Sequence, residues 1–503
     1  MKMVGFLYKL FETILFHFIL VVVMNNKFKK VLPYLVCFLV AFVTILSCSC
    51  ITSFIYPKMA LIPYYNDGAT FYLLGEGMAK GYMPYVEIFD HKGLYIFYYT
   101  AIAGVMGKFG IFIIQVILIT VVEIFIYKAM KLFTDSWKLV ASAMALFSIL
   151  YAFSAQTPGD ADLELPFATI MIYYYLKGIK NDDFIDFMYG NICAGISAGI
   201  SLNLRVSDAI LPFAFVCYYG YYAIKNKRID CLVRDAGIVL SIIIVVTAIP
   251  FIHAFTHGFF TEMINAVYLD NLRYIFTTHD RQGGTQIASR LMLATILGLF
   301  IVLMILKGNK LEKKDIIFVS ITAGISFLFE FVIAFYLHYL IILFSYISII
   351  IFRLAAEYQE HEKVVKYSFL TMVVFSVASM LYNPIIYGVN YQTAENDIAY
   401  VNETLSDYDK NGRTLIISKP ALYHEANIKI GYKDFTAQFN HQLISEACSY
   451  DKLLSYLSSE ECTYVVSAKD VKFVETALED SQATYVEVAT SRATSIVIYR
   501  HVL

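Results

Sequence analysis

The chain has 503 residues, of which 59% are hydrophobic and only 16% charged, and its formal net charge is −2. Soluble domains carry about 25% charged residues, so composition excludes a soluble globular protein, and the near-neutral balance offers no field that would draw nucleic acid. The 40 Tyr and 40 Phe suit bilayer interfaces, which favour aromatic rings.

Residues 1–24 are apolar but hold Lys9, Glu12 and His17 and end without a small-residue cleavage site, which argues against a signal peptide. An interfacial helix, an extra span and a mis-assigned start near Met24 all stay open for segment 1–30. Apolar runs of about 20 residues, enough to span a hydrocarbon core of about 30 Å, follow near 31–55, 110–130, 137–155, 163–179, 186–203, 207–224, 235–253, 287–306, 315–335, 338–354 and 366–388. Residues 94–107 are apolar but short, bounded by Gly93 and Gly107, and read as a helix on the membrane surface. Alternate loops differ in charge. The set holding Lys27–Lys30, Lys128–Lys138, Lys225–Arg234 and Lys307–Lys314 carries more than twice the Lys and Arg of the other. The positive-inside rule then predicts that loops 56–109, 156–164 and 254–286 and the tail face outside.

The tail, from about 390, alternates charged helical stretches with β-branched runs such as Thr414–Ser418, Thr463–Ser467, Thr484–Val488 and Ser495–Tyr499, a pattern of strands and helices. The predicted fold class is an all-α polytopic membrane protein with about eleven transmembrane helices and a small extracytoplasmic α/β C-terminal domain. The membrane part covers 31–389, with loop 56–109 as its active loop, and the C-terminal domain covers 390–503. Eight cysteines show no CxxC or Cys/His spacing of a zinc site. Cys448 and Cys462 share the tail, either bridged or free.

The first outer loop holds the densest polar pattern: Asp67-x3-Phe71, Gly75-x-Gly77, Gly81-x2-Pro84-Tyr85 and Phe89-Asp90-His91-Lys92-Gly93. Together with Glu164-Leu-Pro-Phe167 and His338-Tyr339, it resembles the bacterial GT-C glycosyltransferases, relatives of the protein mannosyltransferases and aminoarabinose transferases that use polyprenyl-phosphate sugars. The resemblance spans roughly 31–388; Gly93-Leu94 stands where relatives commonly have Pro. It implies an integral-membrane transferase in the cell membrane that takes a sugar from a polyprenyl-phosphate carrier among the membrane lipids. The acceptor would be an extracytoplasmic glycan or protein, with no nucleic acid involved.

The chemistry fits these residue types. A departing phosphate needs charge neutralisation, and the acceptor hydroxyl needs one carboxylate base within reach. Asp67 is the expected base, with Glu164 as a second acid whose rival role is to stabilise a helix N-terminus. Lys92, His338, Tyr339 and Arg273 are the expected donor-phosphate groups. Asp90 and His91 are tentative ligands for a divalent metal, or supports for Lys92. Arg205 and Asp208 read as a structural pair, and Asp160-Ala-Asp162 is set aside as a DxD mimic in an outside loop. A lipid-linked glycan transporter, flippase or polymerase is the alternative reading.

Overall fold

The computed structural model describes residues 26–49, 67–107, 109–154, 159–273, 283–307, 312–333, 337–356, 362–434, 445, 448–469, 471–488 and 494–502. Segments 1–25 and 50–66, the latter holding the start of the predicted active loop 56–109, lie outside the described residues.

Apolar runs become helices because a backbone buried in apolar surroundings must satisfy its own hydrogen bonds. The bundle is built from α1 (Asn26–Ser49), α4 (Gly110–Lys131), α5 (Trp137–Ser154), α6 (Leu165–Asn181), α7 (Phe184–Ser201), α8 (Ile210–Lys225), α9 (Ile229–Thr256), α11 (Gly283–Lys307), α12 (Lys313–Ile333), α13 (Ile341–Ala355) and α14 (Glu362–Thr404). Each coincides with a predicted span. Between α1 and α4 come two helices of the first loop, α2 (Asp67–Ala79) and α3 (Leu94–Val105); a short α10 (Phe260–Ile264) runs into a π-helical turn at Asn265–Asp270. Four segments among the described residues are long and apolar enough to cross a membrane by length and composition: Lys30–Cys48, Gly110–Lys131, Ile229–Thr256 and His338–Ala355. Some of the others are short or carry polar residues with partners inside the protein, as in α7, where Asp186 pairs with Lys177 at 2.7 Å and Asn191 bonds Tyr175.

The two ends of the bundle differ. At one end Lys180 donates to the Leu132 carbonyl, Arg353 pairs with Asp315 at 3.0 Å, and its guanidinium lies 4.2 Å over the Phe133 ring. The opposite end gathers the 79–93 loop, the turn after α7, the π-helical turn and residues 337–340.

Helix α3 buries Leu94, Ile96, Phe97, Tyr99, Thr100 and Ala103, whereas Ile102 and Val105 are 59% and 81% exposed. It crosses α2 closely: a Cβ on Gly75 would fall 2.3 Å from the Thr100 and Ala101 backbone, so only glycine fits. The 43-residue α14 runs from the bundle into the tail. There Asp397 accepts the Ser495 N–H at 2.7 Å and meets the Lys419 ammonium at 3.4 Å.

In the tail, α15 (Asp407–Lys410), α16 (Ala421–Glu425), α17 (Tyr450–Leu457) and α18 (Lys472–Asp480) accompany a four-stranded sheet of β1 (Thr414–Ile417), β2 (Tyr464–Ala468), β3 (Tyr485–Glu487) and β4 (Ile496–His501), in the order β1-β2-β4-β3. β1 and β2 are parallel, with Thr414 opposite Tyr464; β4 is antiparallel to both β2 and β3. Cys448 and Cys462 are free and buried in separate apolar clusters, and burial pushes the Cys462 thiol up to about 12.

Candidate functional site

The approach to Lys92 is a clamped loop. Leaving α2, the chain turns through Gly81 at φ +93 and forms a bridge between Pro84 and Ile88. Tyr85 lies in the left-handed region at φ 63 and is buried. That conformation costs a non-glycine residue roughly 1–2 kcal/mol, and such strain persists only where surrounding contacts over-determine it. The contacts are present: the Tyr85 N–H donates to the Ile88 carbonyl at 2.7 Å, and its hydroxyl donates to the Lys92 carbonyl at 2.8 Å. Asp90 Oδ1 accepts the Lys92 N–H at 2.9 Å, a carboxylate turn of the kind Asp forms with its own chain two residues on. Asn271 donates to the His91 carbonyl at 2.7 Å, and the Phe89 N–H donates to the Lys433 carbonyl of the tail at 3.0 Å. Gly93 closes the loop. A Cβ there would lie 1.3 Å from the Asn203 carbonyl oxygen, so backbone meets backbone.

Asn203 belongs to the turn after α7, which forms a hub. Its side chain donates to the Gly199 carbonyl at 2.9 Å and accepts the Tyr268 hydroxyl at 3.3 Å. Two residues on, Arg205 forks onto Asp208 with bonds of 2.8 and 2.6 Å, the bidentate geometry that makes such pairs strong. The same guanidinium lies 4.5 Å over the Tyr339 ring and donates to the Tyr339 carbonyl at 3.4 Å. Ser201 donates its hydroxyl to the Glu164 carboxylate. Glu164, Asp208 and Glu330 are fully buried around Arg205, and one Glu164 oxygen and both Glu330 oxygens have no hydrogen-bond partner among the described residues.

The predicted site residues fall as follows. Asp67 is the first residue of α2, and its side chain lies outside the described residues. Lys92 is half-buried, Asp90 is buried, and His91 Nδ1 stands 3.7 Å from Asp90 Oδ1. Glu164 occupies the N-cap of α6 but makes no capping bond, turning instead to Ser201 and the Arg205–Asp208 pair. His338 and Tyr339 form a 3-10 turn beside Arg205 with their rings edge to face at 4.7 Å. Arg273 pairs with Asp270 at 3.2 Å, and its side chain is half-exposed. Lys92, Glu164, His338, Tyr339 and the segment before Arg273 thus connect through residues 201–208. Asp162 sits apart as a buried staple, accepting from Tyr99 at 3.2 Å, Gln115 at 2.8 Å, Tyr151 at 2.6 Å and the Gly159 N–H at 2.9 Å.

No group of three His, Cys, Asp or Glu among the described residues is placed to hold a metal. Asp90 and His91 offer one carboxylate and one imidazole; the carboxylate suits a hard ion such as magnesium, whereas imidazole suits zinc-like ions, and Asp90 Oδ1 already accepts the Lys92 N–H.

Sequence reasoning read Arg205 and Asp208 as a pair and missed the contact of Arg205 with Tyr339, 134 residues away. It also missed Tyr85, Asn203, Asn271 and Lys433. Pro84-Tyr85 and Gly93 were visible in the motif, but nothing local tells what they pack against.

Residues 94–254, about a third of the chain, match the family described as dolichyl-phosphate-mannose-protein mannosyltransferase. Among solved structures, ArnT from Cupriavidus metallidurans bound to undecaprenyl phosphate superposes with a TM-score of 0.59 at 12% identity, covering 94% of this chain and 98% of ArnT. The apo state of the same enzyme gives 0.55 at 12% identity with the same coverage. No curated protein sequence matches the chain. The chain has the fold of ArnT, and its residues 94–254 are similar to the dolichyl-phosphate-mannose-protein mannosyltransferase family.

Proposed function

We propose that this chain is a multi-pass membrane glycosyltransferase that moves a sugar from a polyprenyl-phosphate carrier to an extracytoplasmic acceptor. One observation carries the reading: the loop bearing Lys92, the acid Glu164, and the His338–Tyr339 turn meet on one hub, residues 201–208, at one end of an ArnT-like bundle. The family match and the bound carrier of ArnT support the donor class.

The carrier phosphate lies at Lys92, with His338, Tyr339 and Arg273 beside it. As the sugar leaves, negative charge grows on that phosphate, and fixed cations in a site partly closed to water stabilise it better than bulk solvent does. Asp67 takes the proton of the acceptor hydroxyl as that oxygen attacks the anomeric carbon from the face opposite the phosphate, so the sugar inverts. Asp90 holds the Lys92 backbone in place; it and His91 are also where a divalent ion would meet the donor phosphate, adding positive charge. The apolar outer face of α3 rests on the membrane surface, and the eleven bundle helices are the spans.

The test uses membranes supplied with a panel of radiolabelled polyprenyl-phosphate sugars, comparing wild type with Asp67→Asn. Transfer by wild type and its loss in the variant are expected. Direct use of a soluble nucleotide sugar would reject the carrier donor.

A further inference from the structure

The end of α9 carries two histidines, His253 in its last turn and His257 at its C-cap. Residues four apart lie on one face of a helix, and the two imidazole rings stand edge to face with centroids 4.4 Å apart. Each ring has its Nδ1 engaged. His257 Nδ1 donates to the His253 carbonyl at 3.0 Å and lies 3.1 Å from the Thr256 hydroxyl. His253 Nδ1 meets the Tyr98 hydroxyl of α3 at 2.5 Å, with the two rings parallel to within 7°. Neither Nε2 has a hydrogen-bond partner among the described residues. His257 is exposed and His253 half-buried. Tyr98 is itself held against α9, because Tyr95 of the same helix donates to the Val246 carbonyl at 2.6 Å, the group that Pro250 leaves without its helical donor.

We propose that His253 and His257 form a two-imidazole site for a first-row transition ion of the copper–zinc kind. The hydrogen bond on one ring nitrogen decides which nitrogen takes a metal, and partners on both Nδ1 atoms leave both Nε2 atoms for the ion. Those partners, a backbone carbonyl and a fixed tyrosine, are the outer-shell groups that orient metal-binding imidazoles. Rings this close suit two nitrogens that must each lie about 2.0–2.1 Å from one ion, and water at the exposed His257 fills the other positions. Imidazole selects copper, nickel and zinc over magnesium and calcium, which prefer oxygen. An anion would instead need protons on both Nε2 atoms, and two cationic rings at this spacing repel. The site shares no residue with Asp90 and His91, and it borders the clamped loop: the Phe259 ring lies 5.6 Å from His253 and 6.2 Å from Tyr85. An ion there pins the cap of α9 to its last turn and, through Tyr98, braces α3.

The experiment is titration of the full chain, in detergent and without a histidine tag, with copper(II), the strongest binder of the divalent series. Electron paramagnetic resonance reads the ligands, and competition with nitrilotriacetate reads the affinity. A copper signal with nitrogen couplings from two imidazoles is expected, unmoved by excess magnesium. His253→Gln and His257→Gln should each abolish that signal, and His501→Gln in the tail should leave it intact. Tyr98→Phe keeps both imidazoles but removes an outer-shell partner, so it should weaken copper binding by about 10–100-fold. Since His257 is exposed, its variant should keep the wild-type melting curve without metal. Wild type without a two-nitrogen copper signal would overturn the proposal, as would a signal that survives in folded His257→Gln or one that magnesium displaces. Unchanged affinity in Tyr98→Phe would overturn the outer-shell role given to the tyrosine.

Discussion

Gly93→Ala probes whether the clamped loop sets the position of Lys92. The added methyl would sit 1.3 Å from the Asn203 carbonyl oxygen and 2.3 Å from its carbon, where ordinary contact begins at 3.4 Å. One backbone must therefore retreat by about 2 Å, the difference between the observed and the ordinary contact. The loop cannot swing freely, because Tyr85, Asp90 and Asn271 all hold residues 91–92. A misplacement of about 1 Å can cost about 10²-fold in rate, so turnover should fall by about 10²-fold or more. Overpacking should lower stability by about 1–3 kcal/mol. The assay is single-turnover transfer from a radiolabelled polyprenyl-phosphate sugar by purified protein, with a melting curve for each variant. Gly104→Ala on α3 is the control, since a methyl there meets nothing within 4 Å. A folded Gly93→Ala enzyme with turnover within about threefold of wild type would show that the Gly93–Asn203 contact does not position the chemistry.

Asp67→Asn should lower turnover by about 10²–10⁴-fold, the usual worth of a general base, with donor binding kept; near-normal turnover would pass the role to another acid such as Glu164. Lys92→Met should weaken donor binding and slow transfer, His338→Ala should do the same to a smaller degree, and Lys92→Arg should rescue in part because it restores charge without shape; donor affinities equal to wild type in folded variants would remove both residues from the site. The Glu76–His424 contact should make tail docking pH-dependent. Hydrogen bonding to Glu76 raises the His424 imidazole despite its burial, while burial pushes Glu76 up and the bonds from His424 and Lys80 outweigh it, holding it at about 2. The His424 contribution is full below about pH 6.5 and fades as pH rises through the raised value; the Glu76 contribution is full above about pH 4.3 and fades toward acid. Rate-corrected hydrogen exchange of α2 and α16 should show this window, with His424→Gln flattening the alkaline limb; an unchanged limb rejects the coupling. Cysteine probes at positions 87 and 310 should label from outside and inside respectively, and the reverse result would invert the sidedness and the mechanism with it.

Elements were legible in this sequence to the degree that a single segment determines them. The predicted spans coincide with helices, and the β-branched runs near 414, 464, 485 and 496 coincide with strands, because hydropathy and side-chain branching act locally. Tertiary contacts were not legible. Gly93 meets Asn203, Arg205 meets Tyr339, and Phe89 hydrogen-bonds Lys433; in each case a residue visible in a motif depends on one far along the chain that carries no signal of its own. The DxD mimic illustrates the same limit. Outside a nucleotide-sugar setting Asp162 had no local reading, and the structure spends it on four donors from α3, α4, α5 and its own turn.

The distribution of buried charge favours the proposed transferase over its transporter rival. A secondary transporter places its ion or substrate site near mid-membrane, on interrupted helices whose free ends coordinate the cargo. Here Glu123 is buried within the unbroken α4, where it accepts a hydrogen bond from Ser148 at 3.0 Å. Glu330 belongs to the last turn of α12, close to Arg205 and Asp208, and so joins the end of the bundle where Lys92, Glu164 and Tyr339 already meet. That end also receives the tail, through the Lys433 carbonyl on Phe89 and His424 on Glu76. A protein that moved its cargo between the two faces would have reason to keep both ends adjustable. This one has strain at Tyr85, a backbone contact at Gly93 and a buried ion pair at Arg205 at the end where the proposed site lies. Fixed charge at a fixed place stabilises a transition state, because nothing has to reorganise when the phosphate departs.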